Sequence, residues 1–344
     1  MSFFPTMASP ERRQQLLNDI SHLKQEHRAV VLAHVYERLE VQDVADYTGD
    51  SLGLSQEAAA TEANTIVFCG VHFMAETAKL LSPEKTVYLA NPNAGCPMAD
   101  MITAEQLRAF KARHPGVPVV GYVNTSADVK AECDICCTSA NAVAVVTHLT
   151  ENTGQQRILF VPDKHLGHYV QQQLPHIEVI CWDGFCPTHM RMDVASLDKL
   201  MLAHPNARVL VHPECDESLK EKAHYIGSTT GILAEAHQST ATEFIICTEE
   251  GVAQRLTRDL PHKTFYSPDR QQALCPNMKM TRLENIKKAL TGHVAPIEIP
   301  QEVFVKARQA IERMLAVGSS GVLPASAREA GSAACRCSQP LLPV

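Results

Sequence analysis

The sequence predicts an α/β protein: three pseudo-threefold-related α/β/α domains, each with a short parallel sheet, around a central active site. The first observation is the alternation of short apolar runs with helix-length segments, which is the signature of parallel βαβ units covered on both sheet faces. The second is a repeat of polar landmarks at a period of about 90 residues. The third is size and composition. A chain of 344 residues with 45% hydrophobic and 20% charged residues is ordinary globular material, and its length suits two or three compact units.

Element by element, Ser9-Pro10-Glu11 opens a helix with an N-cap serine, a proline in the first turn and an acid at the positive end of the dipole. That helix is expected to run to about Glu26, within an N-terminal helical segment 1–29. Three α/β repeats follow, at 30–117, 118–207 and 208–300. Each opens with a β-type run that ends in a polar triplet: His34-Val35-Tyr36, Tyr122-Val123-Asn124 and His212-Pro213-Glu214. The leading residues are 88 and 90 apart, and 17 residues after each comes a hydroxyl: Ser51, Ser139 and Thr229. A second run occurs at Ile66–Cys69, Ile158–Val161 and Phe244–Cys247, and a third around Val87–Leu89, Val179–Cys181 and Thr264–Tyr266. Each repeat then reaches a Cys-Pro, at Cys96, Cys186 and Cys275, spaced 90 and 89 apart. The segment 301–317 reads as a C-terminal helix with Val303, Ala307, Ile311 and Met314 along one face. Beyond it, 318–344 is rich in Gly, Ser, Ala and Pro and is expected to be disordered; Cys335 and Cys337 there are assigned no role.

In open parallel sheets, function gathers beyond the carboxyl ends of the strands. The triplets lie there, and the hydroxyl segments start the following helices. Packing about a threefold axis would bring triplets, hydroxyls and cysteines to one cavity. Thiolates at such spacing do not resemble the local CxxC pairs of structural zinc sites. Three of them suit three corners of a [4Fe–4S] cube with one iron left open as a Lewis acid. The competing account, three buried structural thiols, gives no reason for equivalent placement in every repeat. The tight group Cys133-x2-Cys136-Cys137 has no counterpart in the other repeats and is read as structural. Ser51, Ser139 and Thr229 at helix starts offer sockets for carboxylate or phosphate, against the commoner task of capping. His34, Tyr36, Tyr122, Asn124, His212 and Glu214 supply acid–base and polar groups, and His189, three residues after Cys186, reaches the same region.

Composition excludes several classes. A formal charge of −7 and 5% aromatic residues argue against a nucleic-acid surface or a base-stacking platform. No apolar run approaches the ~18 residues of a membrane span. The opening MSFFPTMASP has no basic start and no apolar stretch, and twelve cysteines without a signal are expected as thiols or ligands in the cytoplasm.

The motifs LAHVY around His34, GDSLGLS around Ser51, GVHFMAETAKLLSPEKTV from Gly70, GYVNTSADVKAECD from Gly121, VPDKHLG from Val161, VHPE from Val211 and GSTTG from Gly227 resemble the quinolinate synthase family, in order, over about Arg28 to Leu290. The resemblance implies condensation of iminosuccinate (iminoaspartate) with dihydroxyacetone phosphate to quinolinate, phosphate and water, in the de novo route to NAD. It implies a [4Fe–4S] cluster on Cys96, Cys186 and Cys275, and iminosuccinate binding by His34, Ser51, Tyr122, Asn124, Ser139, His212, Glu214 and Thr229. Proton transfers fall to Tyr36, His189 and Glu214, with His34 and His212 beside them. It also implies a functional link to an L-aspartate oxidase supplying the imine. Some relatives carry the third cysteine in a denser CxxCxxC run, whereas Cys275 stands alone in ALCPNMKM. A non-catalytic iron–sulfur or redox-sensing protein would have no use for acids and bases at equivalent strand ends. A zinc hydrolase would want local His and carboxylate spacing such as HExxH, which is absent.

Overall fold

The structure, a computed structural model, describes residues 9–320, with side chains through 317. It contains three four-stranded, wholly parallel sheets. The first holds β1 (Ala29–His34), β2 (Tyr47–Gly49), β3 (Thr65–Cys69) and β4 (Thr86–Leu89). The second holds β5 (Val119–Tyr122), β6 (Ile135–Cys137), β7 (Arg157–Val161) and β8 (Glu178–Cys181). The third holds β9 (Arg208–Val211), β10 (Tyr225–Ile226), β11 (Glu243–Cys247) and β12 (Thr264–Tyr266). Their spatial orders are β2-β1-β3-β4, β6-β5-β7-β8 and β10-β9-β11-β12, the same order three times.

Central strands are buried on both faces, which is why they read as continuous Val/Ile/Leu runs rather than alternating ones. Val31 pairs with Val67, Val120 with Phe160 and Val209 with Ile245, all fully buried. In each order the first strand of the repeat sends its chain to one side and its neighbour sends it to the other. The crevice at such a switch point lies between the carboxyl ends of β1 and β3, of β5 and β7, and of β9 and β11.

Outside the sheets, the first helix runs Pro10–Glu26, with the Ser9 side chain accepting from the Arg12 N–H as the sequence motif requires. Its Leu16 and Ile20 pack with Leu283, Ile286 and Leu290 of the helix Leu283–Leu290 beneath the first sheet. That second helix follows the third sheet in sequence, so the chain closes back on its start. The final helix, Gln301–Ser320, runs past the expected end at 317, since a glycine costs a helix only about 1 kcal/mol. Its Ala307, Ala310, Ile311, Met314 and Val317 belong to one core with the first and second sheets. Residues 321–344, with Cys335 and Cys337, lie outside the described residues. Cys133, Cys136 and Cys137 are buried in the core of the second sheet, Cys136 and Cys137 within β6 itself. Among the described residues no helix is long and apolar enough to cross a membrane.

Candidate functional site

Every candidate site residue singled out from the sequence lines one central cavity. The triplet leaders His34, Tyr122 and His212 enter it from the ends of equivalent strands, followed two residues on by Tyr36, Asn124 and Glu214. Ser51, Ser139 and Thr229 line it from the ends of the edge strands, and Cys96, Cys186, Cys275 and His189 from the Cys-Pro loops.

The hydroxyl segments depart from simple capping. Asp50, not Ser51, caps the helix Ser51–Ala60 through Gly53, and Ser228, not Thr229, caps Thr229–Gln238 through Gly231. Ser51 and Thr229 are therefore the first helical residues, with their hydroxyls released from the cap. Ser139 precedes the helix Ala142–Thr153, where the Asn141 carboxamide accepts from the Thr138 N–H at 2.7 Å.

The Cys-Pro loops share one geometry. Each cysteine carbonyl accepts from the N–H four residues on: Asp100 at 3.2 Å, Met190 at 3.0 Å and Lys279 at 3.2 Å. A proline at the first position of such a turn gives up no needed N–H and presets the backbone. The turn thus presents the thiol before it. Burial pushes the Cys96 thiol up to about 12 and the other two upward as well. Negative charge on Cys275 raises Cys96, and charge on Cys275 or Cys96 raises Cys186, so the three thiols sense one another. Three half-buried soft donors of this kind fit a cationic, soft-metal group that supplies the missing positive charge. A second donor set overlaps them: Cys186, His189 and Glu214 bring ligand atoms within 4.8 Å of one another.

Acid–base groups are wired across repeats. Glu214 accepts the Tyr122 hydroxyl at 2.5 Å and sits 2.8 Å from His189 Nδ1. Burial alone would raise this carboxyl, but His189, His212 and the Tyr122 hydroxyl outweigh it and hold Glu214 well below the usual carboxylate range. Tyr36 and Tyr122 are pushed above the ordinary phenol value, by burial first and then by the charge of Glu214. Burial takes His34 down to about 4 and His212 to about 3. Both rings are neutral at pH 7. Nδ1 of His34 accepts from the Tyr36 N–H at 3.2 Å, and Nδ1 of His212 from the Glu214 N–H at 3.4 Å. This fixes the tautomer and leaves Nε2–H of each ring to donate to a ligand. The Asn124 carboxamide oxygen is buried without a hydrogen-bond partner among the described residues, a polar atom waiting for one.

Some functional neighbours escaped the sequence reading. Thr248 and Glu249 follow β11, and Asp163 follows β7, at the ends of the third strands of their repeats. Glu249 accepts the Cys275 N–H at 3.1 Å, and Asp163, which caps its helix through Leu166 at 2.7 Å, lies against the Cys186 backbone. The strand-end rule that found the triplets would have found these had it been applied to the neighbouring strand at each switch point.

Three parallel sheets that pool thiols, helix-start hydroxyls and hydrogen-bonded acid–base groups in one cavity define an α/β enzyme-type centre shared by the repeats. Residues 18–316 match the family described as quinolinate synthetase A protein, and the chain belongs to that family. Relatives bearing the name quinolinate synthase include one from Geobacter metallireducens, 50% identical over 87% of this chain and 96% of its own. Another from Methanoregula boonei is 49% identical over 88% and 98%, and one from Dehalococcoides mccartyi strain CBDB1 is 48% identical over 89% and 99%.

Proposed function

We propose that this chain is a cytoplasmic quinolinate synthase that joins iminosuccinate to dihydroxyacetone phosphate, releasing phosphate and two waters as the pyridine ring forms. The observation that carries the reading is the convergence, in one cavity, of three equivalent thiols with acids and bases drawn from all three repeats. Cys96, Cys186 and Cys275 would hold a [4Fe–4S] cluster, whose open iron supplies Lewis acidity toward a substrate oxygen or nitrogen when bound.

The protein's own groups account for the rest. His34 and His212, neutral with free Nε2–H donors, suit carboxylate oxygens of the imine substrate. The Ser51 and Thr229 hydroxyls stand at the starts of helices, where backbone N–H groups and the dipole favour anions, and Ser139 lies on the turn just before the helix Ala142–Thr153. Asn124 completes the cradle with its unpaired carbonyl and adjacent amide. Tyr36, His189 and Glu214, with the Thr248 hydroxyl bridging the first two, form a hydrogen-bonded set that holds and exchanges protons during successive eliminations. Acids and bases in this number distinguish the reading from a cluster-bearing sensor, which moves no protons. The labile imine links the enzyme functionally to an L-aspartate oxidase.

The test is chemical. Protein purified without oxygen is assayed for iron, acid-labile sulfide and quinolinate formation from the two substrates. About four iron and four sulfide per chain, with quinolinate produced, support the proposal; zinc alone, or a cluster without quinolinate, refutes it.

A further inference from the structure

Arg191 follows the short helix Pro187–Met190, and it is exposed to solvent while also lining the cavity. Pro97 and Pro276 share that double character, so the cavity opens to solvent at the Cys-Pro loops. Among the described residues, Arg191 is the one Lys or Arg in the cavity wall. Its Nε donates to the Gln272 carbonyl at 3.2 Å, and its Nη2 donates to the Leu274 carbonyl at 3.0 Å and the Thr188 hydroxyl at 3.3 Å. We propose that Arg191 receives the phosphate of the triose phosphate substrate at the mouth of the cavity. The proposal rests on the functional reading above and deepens it, assigning one substrate group to one side chain.

A guanidinium is a permanent cation with five N–H donors. Three of the Arg191 donors go to neutral oxygens, which orient the group without cancelling its charge. Among the described residues it forms no ion pair, and the two donors on Nη1 have no partner. Arg108, Arg157, Arg208 and Arg258, by contrast, each hold a carboxylate. The carboxylates of the cavity wall are engaged elsewhere: Asp50 accepts from the Gly53 N–H, Glu214 is held by Tyr122 and His189, and Glu249 by Lys279. In a chain of formal charge −7, this leaves an oriented, uncompensated cation at the opening. Position selects the ligand group. His34 and His212, to which the imine carboxylates are assigned, are buried. A phosphate monoester carries between one and two negative charges near neutrality and is costly to strip of water. At the mouth it keeps part of its hydration, while Nη1 supplies charge-assisted hydrogen bonds. The phosphate is also the group that departs, and from the mouth it leaves without crossing the site. Bracing the Cys275 loop does not require Arg191: the Ala273 N–H donates to the Asp269 carbonyl at 2.8 Å, and the Cys275 N–H to Glu249 at 3.1 Å.

Arg191→Gln keeps a polar side chain of similar reach and deletes the charge; Arg191→Lys keeps the charge. For anaerobic holoenzyme, the glutamine variant is expected to raise KM for dihydroxyacetone phosphate about 10- to 100-fold, with kcat and KM for iminosuccinate within about threefold of wild type. Iron and sulfide content should match wild type, and the lysine variant should bring KM for the triose phosphate back to within about tenfold. An unchanged KM for the triose phosphate in the glutamine variant overturns the proposal, as does a rise in both KM values together. A fall in iron, or a loss confined to kcat, makes Arg191 a brace of the Cys275 loop and overturns it too. Inorganic phosphate is the probe for the departing group. Weaker inhibition by phosphate at an unchanged KM for the triose phosphate assigns Arg191 to the product alone, against the proposal. A wild-type holoenzyme that makes no quinolinate overturns the functional reading and this proposal with it, whereas an active wild type beside a glutamine variant of unaltered KM overturns this proposal alone.

Discussion

Lys279→Met removes the cation of a buried ion pair at the join between the first and third repeats. Lys279 and Glu249 are almost wholly out of water, with Nζ 3.0 Å from one carboxylate oxygen and 3.2 Å from the other. The ammonium also donates to the Tyr36 carbonyl, and Glu249 accepts from the N–H groups of Gly251 at 2.6 Å and Cys275 at 3.1 Å. At 3.0 Å and an effective dielectric near 20 the attraction is about 5 kcal/mol. Methionine fills the volume of the lysine stem, so packing is retained. The charge of Glu249 is not neutralised by its two backbone donors, and leaving such a group buried without its partner costs about 3–5 kcal/mol.

The assay is urea unfolding of anaerobic protein followed by circular dichroism, with the slope compared between variants before free energies are derived. Lys279→Met is expected to lose about 3–5 kcal/mol. Glu249→Gln leaves the ammonium stranded instead. Both changes together should cost less than the sum of the two by about 2 kcal/mol or more, because the second removes a charge the first has already orphaned. A loss under about 1 kcal/mol for Lys279→Met, or additivity within about 0.5 kcal/mol, would refute the reasoning. The pair would then be hydrated in solution, and the Cys275 loop would be held by something else.

Three further outcomes are expected. Cys96→Ala, Cys186→Ala and Cys275→Ala should each abolish cluster assembly, while Cys136→Ala, buried in β6, should retain normal iron; iron and sulfide analysis after anaerobic purification decides. The proposed open cluster iron would make the enzyme sensitive to oxygen, so activity undiminished after prolonged exposure to air would contradict that coordination. His34 and His212, held at about 4 and about 3 below the ordinary 6.5, make the fold acid-labile. The unfolded chain takes up their protons first, so stability is complete above about pH 6.5 and declines toward those lower values, by up to about 1.4 kcal/mol per unit for each ring. Urea midpoints measured from pH 7.5 to 5 should fall less steeply in His34→Gln or His212→Gln than in wild type; equal slopes would contradict the assignment.

Legibility from sequence followed physical scale. β1, β5 and β9 were readable because central parallel strands are buried on both faces and leave unbroken apolar runs. β2, β6 and β10 are two or three residues long and sit at sheet edges, too short to leave a pattern, although the hydroxyls that follow them were found through the repeat. The polar residues after β1, β5 and β9 announced themselves by recurring. Thr248 and Glu249 did not, because their counterparts Gly70 and Val71 in the first repeat are apolar and hide the equivalence. Glu37 shows the same limit more sharply. In sequence it is an ordinary acid after a triplet. In the fold it is fully buried, neither carboxylate oxygen has a hydrogen-bond partner among the described residues, and burial raises its pKa well above the usual range. Nothing local marks that environment: the burial comes from tertiary packing, and the groups that oppose its effect, Lys279 and Thr281, come from the far end of the chain.

The repeat explains where the site is, and its breakdown explains why the site is able to work. A substrate without threefold symmetry cannot be read by three identical faces. Equivalent positions therefore carry different chemistry: imidazole, phenol and imidazole at His34, Tyr122 and His212, then phenol, carboxamide and carboxylate at Tyr36, Asn124 and Glu214. The thiols are the exception, one per repeat without variation, as the proposed set of three like donors would require. Hydrogen bonds cross rather than respect the repeats. Tyr36 of the first is held by Thr229 and Thr248 of the third, and Glu214 of the third is held by Tyr122 and His189 of the second. No repeat contains a complete acid–base set. The closure of the chain, with Leu283–Leu290 packed against Pro10–Glu26 and Gln301–Ser320 spanning the first two sheets, bears on the site: it helps keep the three sheets in the one arrangement where those hydrogen bonds exist.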